Sequence, residues 1–155
     1  MKRKYLFESE LQALFEAAKS SGKPERNLAL VITMYRHGLR ANEALAMQWE
    51  DINFPAQEIF IRRAKGSVSG AAPLWKDELN ALRKYQQKSG DRSTGYIWLG
   101  ENSERLSWID LYKLIKRLGK TANLNSLHPH QLRNSFGYHI FASVLKTARI
   151  RIIAD

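Results

Sequence analysis

The stretch His-Pro-His-Gln-Leu-Arg at residues 128–133 says more about the fold than any other part of the sequence. Pro129 suits the first turn of a helix, so we expect a helix to begin there. Three residues rotate about 300° around a helix axis, which places His130 and Arg133 on one face. An arginine can hold two oxygens of a phosphate, and a nearby histidine can donate to that phosphate or move a proton. Alone, this spacing is a weak signal, since an ordinary surface histidine and arginine would look the same.

Two further basic residues lie in short motifs upstream of this stretch. Arg40 belongs to Gly-Leu-Arg-Ala-Asn-Glu at residues 38–43, and Lys65 precedes the Gly-Ser pair at residues 66–67. Each has a simpler interpretation, because Arg40 could merely pair with Glu43 and Lys65 could be a solvated lysine in a turn. Together, two arginines, a histidine and a lysine are the side chains that can hold and activate a phosphodiester.

The composition predicts one compact domain with a basic surface. The chain has 155 residues, of which 44% are hydrophobic and 26% charged, so it is long enough to bury a core. Its net charge is +10, and residues 111–155 hold eight lysines and arginines against one acid. An excess of this size favours a polyanionic partner, although a solvated basic surface would give the same count. We therefore predict a nucleic acid as the partner.

Several kinds of site and location are disfavoured. The chain has no cysteine, which excludes a disulfide scaffold and a cysteine-ligated zinc site. His37, His128 and His139 show no metal-ligand spacing with a carboxylate, so we predict no metal site. The apolar segments are too short to span a bilayer, and none follows the basic N-terminus. We expect a soluble, cytoplasmic protein that does not bind membranes.

The hydrophobic pattern predicts an α+β fold: a mainly helical single domain with a small antiparallel β-sheet. Residues 58–62 and 72–74 are the expected strands, with residues 96–99 as a further strand or extended segment. We expect Gly38 and Gly119 to end two helices, and the last helix to bury Leu132, Phe136 and Ile140. The helices are expected to begin near Ser9, Pro24, Glu43, Lys76, Ser107 and Pro129.

In order and spacing, these motifs resemble the tyrosine recombinases, also called phage-type integrases. The resemblance runs from about Tyr5 to Gly137 and is greatest to the short recombinases that invert fimbrial promoter segments. It implies that residues 1–155 form one recombinase catalytic domain that is incomplete at its C-terminus, and that the nucleic acid partner is double-stranded DNA. The motifs leave open whether such a domain would serve inversion, integration or excision.

The resemblance also implies a mechanism. In this family a tyrosine attacks a DNA phosphodiester, which forms a 3′-phosphotyrosine and frees a 5′-hydroxyl without a metal, ATP or another cofactor. Arg40 and Arg133 would hold the phosphate, and Glu43 would orient Arg40. His130 would assist proton transfer, and Lys65 would protonate the leaving 5′-oxygen.

The sequence departs from the family pattern downstream of Arg133. The family places a Leu-Gly-His-like segment and then the nucleophilic tyrosine there, whereas Tyr138 is the only tyrosine after Arg133. Five residues along a helix turn Tyr138 about 140° away from Arg133, so we expect a core or rim aromatic. We therefore predict a recombinase scaffold without a nucleophile of its own, inactive alone, and whether the chain is an enzyme stays open.

Three interpretations remain at this point. The chain could be a recombinase domain that associates on DNA with itself or with a full-length recombinase, which could supply a tyrosine. It could instead be a non-catalytic DNA-binding module that competes at recombination sites. More distantly, it could be a basic structural or RNA-associated protein whose motif match is chance.

Overall fold

The computed structural model describes residues 3–63, 66–89 and 95–154, with side chains described as far as residue 148. The described elements form a mainly helical domain with a three-stranded antiparallel sheet, which confirms the predicted α+β class. In chain order they are α1 (Glu8–Lys19), α2 (Pro24–His37), α3 (Ala41–Leu45), β1 (Ile52–Asn53), β2 (Glu58–Ile61), β3 (Gly70–Pro73), α4 (Lys76–Ser89), α5 (Trp108–Thr121) and α6 (Pro129–Ala154).

The central element is α2, which packs against α1, α4 and α6. Leu30, Val31 and Met34 lie in its middle and are completely buried, as expected for a helix surrounded on several sides. The helix ends at Gly38, which adopts a left-handed conformation with φ of 58°, as the sequence predicts. A Cβ atom at Gly38 would lie 2.7 Å from Cδ1 of Phe136 on α6. Gly38 is therefore required both by its backbone angle and by the close approach of α6.

The sheet lies beside the helices in the order β1-β2-β3. Ile59 of β2 pairs with Ile52 on one side and Ala72 on the other. The two expected strands are confirmed with slightly shifted bounds, and the two-residue β1 was not predicted. Residues 96–99 form only isolated bridges, in which Tyr96 pairs with Gln48 and Leu99 with Arg105.

Two helix boundaries differ from the prediction. The first helix begins at Glu8, before the predicted Ser9 cap, because the Glu10 carboxylate accepts the Phe7 N–H at 2.9 Å. Gly119 lies inside α5 and does not end it. A Cβ atom there would lie 2.7 Å from Cβ of Leu127, so this glycine serves close packing of the connection to α6.

The N-terminal segment holds the first half of α6 in place. The Leu6 N–H donates to Ser135 Oγ at 2.7 Å, and His139 Nε2 donates to the Leu6 carbonyl at 3.1 Å. The ring of Tyr5 stacks on that of Tyr138 with 3.8 Å between centroids.

The remainder of α6 packs less closely than the sequence pattern predicts. Leu132 is fully buried and Phe136 partly so, as expected. Ile140 is 46% exposed, so its predicted burial is wrong. None of the described helices is both long and apolar enough to cross a membrane.

Candidate active site

The Glu43 carboxylate lies at the centre of a cluster of arginines. Its side chain is only 2% exposed. Oε1 accepts the backbone N–H of Arg40 at 2.8 Å, which caps the short helix α3. Oε2 accepts the Arg40 guanidinium at 3.2 Å. One carboxylate therefore fixes both the backbone and the side chain of Arg40, a geometry suited to the orienting role predicted for Glu43.

Arg133 reaches the same carboxylate from α6. Its Nη1 atom donates to the Gly38 carbonyl and lies 3.8 Å from Glu43 Oε1. Burial lowers the pKa of Arg133 below its ordinary value, and the positive charges of Arg40 and Arg63 lower it further. The structure thus brings together three of the residues singled out from the sequence, Arg40, Glu43 and Arg133.

Arg63 is a third arginine of this cluster, and the sequence motifs did not identify it. Its Nη1 donates to Glu43 Oε1 at 3.3 Å, and its Nη2 donates to the His37 carbonyl at 2.9 Å. The alternation of buried and exposed residues along β2 does predict where the Arg63 side chain points. Because Ile59 and Ile61 face the core, the period of two places Arg63 on the same inward side, an unusual position for an arginine.

A cavity of about 480 Å³ opens beside the three arginines. A Cβ atom built on Gly137, which lines it, would have no neighbour within 4 Å, so the approach from solvent is open there. Arg40 adjoins the cavity through Ser67, whose Oγ accepts from its guanidinium at 3.4 Å. Three positive groups around one carboxylate leave a net positive charge, which suits an anion. The cavity is lined by His37, Gly38, Arg63, Ser67, Arg133, Asn134, Phe136, Gly137 and Tyr138.

His130 lies exposed at the start of α6, one turn before Arg133. Its backbone N–H donates to Nδ1 of His128 at 3.2 Å, and the two imidazole rings meet edge to face. The pKa of His128 is lowered by burial first, and then by the nearby His130 and Lys116. His128 therefore caps α6 in its neutral form and holds the backbone that carries His130.

Two other predicted positions remain to be placed. Lys65 lies outside the described residues, so its role stays a prediction. Tyr138 lines the cavity, 43% exposed, with its ring stacked on Tyr5 at an interplanar angle of 12°. This is the position of a rim aromatic. Within the described part of the chain, no three histidine, aspartate or glutamate side chains are grouped as a metal site.

Comparison with known proteins identifies the family. Residues 4–153 match the sequence pattern of the Phage integrase family. The chain belongs to the phage integrase family. Type 1 fimbriae regulatory protein FimE of Escherichia coli is 33% identical over 160 residues, covering 99% of this chain and 79% of FimE. A chance match of the motifs in an unrelated basic protein is thereby excluded.

Solved structures of two recombinases share the fold. The crystal structure of XerA recombinase gives a TM-score of 0.77 at 26% identity, over 88% of this chain and 49% of XerA. The structure of XerH site-specific recombinase bound to its difH substrate gives a TM-score of 0.73 at 23% identity, over 91% of this chain and 43% of XerH. The chain thus spans about half the length of these structures, and its predicted recombinase catalytic-domain fold is confirmed.

Proposed function

We propose that this chain is the catalytic domain of a site-specific DNA recombinase. The observation that carries the proposal is the convergence of Arg40 and Arg133 on Glu43 beside an open cavity. Family membership supports it, as do the structural likenesses to XerA and XerH, which are named recombinases. A non-catalytic competitor would need no such cluster, and the comparisons do not favour it.

The cavity would hold the phosphodiester that is to be cleaved. The two guanidinium groups of Arg40 and Arg133 would donate to its non-bridging oxygens and stabilise the added charge of the pentacoordinate transition state. Glu43 would keep Arg40 oriented before DNA arrives and would offset part of the repulsion among the arginines. His130 would assist proton transfer, and Lys65 would protonate the leaving 5′-oxygen.

The attacking tyrosine is expected to be a residue other than Tyr138. The ring of Tyr138 is stacked on Tyr5, and an attack by Tyr138 would require that pair to separate. We propose that residues 1–155 supply the groups that hold the phosphate, and that the attacking tyrosine lies outside these residues. A nicked suicide duplex tests this, because a covalent adduct of the chain alone would contradict it and peptide mapping would name the nucleophile.

Double-stranded DNA is the proposed partner. The net charge of +10 and the arginine cluster both suit a polyphosphate backbone. A protein that acts on DNA is expected in the compartment that holds the DNA. A cytoplasmic location is consistent with this and remains our prediction.

A methylphosphonate scan tests the proposed phosphate site directly. A binding duplex would first be selected from a random-sequence pool, and each phosphate near its centre would then be replaced in turn by a neutral methylphosphonate. We expect one position per strand where the wild-type chain loses affinity and Arg133→Ala loses none, because that phosphate occupies the cavity. Arg83→Ala, an exposed arginine on α4, is the matched control and should behave as wild type. Equal losses at every position would overturn the proposal.

A further inference from the structure

We propose that Arg63 is a positioning residue that holds Glu43 so that Arg133 stays open to a phosphate. The inference rests on the proposed phosphate site and adds a residue to it. Arg63 follows β2 directly and bridges two acceptors, Glu43 Oε1 and the His37 carbonyl. Its side chain is 21% exposed. Both of its terminal nitrogens already donate to the protein, so its geometry suits a brace better than a phosphate ligand.

Arg63 matters because Arg133 lies close to Glu43 without a hydrogen bond to it. Oε1 of Glu43 accepts from Arg40 and from Arg63, while Nη1 of Arg133 remains 3.8 Å away. A hydrogen-bonded pair would need about 2.9 Å, so a movement of about 1 Å would pair Arg133 with the carboxylate. Without Arg63, Glu43 would have less positive charge around it and one donor fewer. Arg133 would then turn from the cavity toward Glu43.

A buried pair behind the cluster keeps this brace rigid. The carbonyl of His37 accepts from Arg63. The His37 side chain is 4% exposed, and its Nε2 is hydrogen-bonded to the fully buried Glu78 at 2.6 Å. The other oxygen of Glu78 accepts the Trp75 N–H at 3.0 Å, at the start of α4. The end of α2 is thereby fixed to α4, and it presents its carbonyl to Arg63 in one place. A network that is satisfied in this way gives Arg63 a single position.

The test measures arginine side chains by NMR, with inorganic phosphate as the probe. The Nε–H signal of Arg133, assigned from its absence in Arg133→Lys, would be followed in wild type, Arg63→Met, Arg63→Lys, Glu43→Gln and the double variant Arg63→Met/Glu43→Gln. Arg83→Met is the matched control. Urea unfolding establishes that each variant is folded, and Arg63→Gln replaces Arg63→Met if the latter is not.

The expected results separate bracing from direct binding. In ligand-free Arg63→Met, the Arg133 signal should shift and exchange more slowly, because Arg133 pairs with Glu43. Phosphate affinity should fall about tenfold, the equivalent of one charge-assisted contact. Removing the competing carboxylate in the double variant should restore most of that affinity. The phosphate affinity of Arg63→Lys should lie between those of wild type and Arg63→Met, since one ammonium cannot bridge two acceptors as a planar guanidinium does.

Two results would overturn the inference. An unchanged Arg133 signal in Arg63→Met would mean that Arg63 does not hold the pair apart. A loss of affinity in the double variant beyond that of Glu43→Gln alone would make Arg63 a direct phosphate ligand, because a residue that acts only through Glu43 has no further effect once the carboxylate is gone. If no variant, including wild type, binds phosphate while the Arg133 signal still moves, the bracing role stands and the proposed phosphate site fails.

Discussion

Arg133 donates to the carbonyl oxygen of Gly38, and this contact joins the start of α6 to the turn that ends α2. The turn allows this because Gly38 is left-handed and lacks a side chain where Phe136 approaches. The same residue therefore ends a helix, seats a second helix and accepts a hydrogen bond from a site arginine. Its replacement should affect both stability and the site.

Gly38→Ala should lower the free energy of unfolding by about 1–3 kcal/mol, since an alanine is strained at a φ of 58°. The contact with Phe136 adds to this cost because Phe136 must move. Urea denaturation measures the change. Gly22→Ala is the control, since a Cβ atom there has no neighbour within 4 Å. Equal midpoints for the two variants would contradict the expected strain.

Arg133→Ala should weaken binding to a selected DNA duplex by about 10- to 100-fold, the range for losing hydrogen bonds to a charged group. The fold should survive, because one third of the side chain is exposed and water can reach the vacated position. Fluorescence anisotropy gives the affinity and circular dichroism the helical content. Loss of helix in Arg133→Ala, with Arg83→Ala unaffected, would assign Arg133 a structural role.

DNA affinity should fall steeply as salt rises, because phosphate contacts release condensed counterions. The logarithm of the affinity should be linear in the logarithm of salt concentration. Arg133→Ala should reduce the slope by about one, the value for one lost phosphate contact. Anisotropy titrations between low and physiological salt measure both slopes. A DNA affinity that does not depend on salt concentration would contradict a basic DNA-binding face.

The stability of the α6 start should depend on pH through His128. Its folded pKa lies below the usual value of about 6.5, so the unfolded chain binds more protons in the window between the two values. The stabilising contribution is therefore complete above about pH 6.5 and is lost as pH falls through the folded pKa.

His128→Asn is the variant that tests this dependence, because asparagine can cap a helix without titrating. Urea unfolding between mildly alkaline and mildly acidic pH should show the wild type losing stability relative to the variant as pH falls. Parallel curves for the two proteins would show that protonation of His128 is not linked to folding.

The parts predicted best from sequence are those with local causes. The left-handed end of α2 at Gly38 and the pairing of Arg40 with Glu43 both depend on residues close in the chain. Period-two and helical patterns likewise identified the two longer strands and most of the helices. Strand β1 has two residues, too few to leave a pattern.

The parts that were missed depend on tertiary packing. Helical periodicity placed Ile140 on the apolar face of α6, but periodicity does not determine whether another element covers that face, and Ile140 is exposed. Gly119 looked like a helix end because a glycine needed for close packing has the same sequence signature. Arg63 belongs to no motif, and its role depends on α2 and α3 meeting the strand.

The bonds between the N-terminal segment and α6 also order events during synthesis. Leu6 and Ser135 are 129 residues apart, so the ribosome delivers one partner long before the other, at roughly 5–20 residues per second. Helix α3 packs against α5, so Glu43 can fix Arg40 once α5 has emerged and before Arg133 does. We expect nascent chains to complete the arginine cluster around Glu43 only after Arg133 has emerged, so the proposed phosphate site forms later than the fold of α1 to α5.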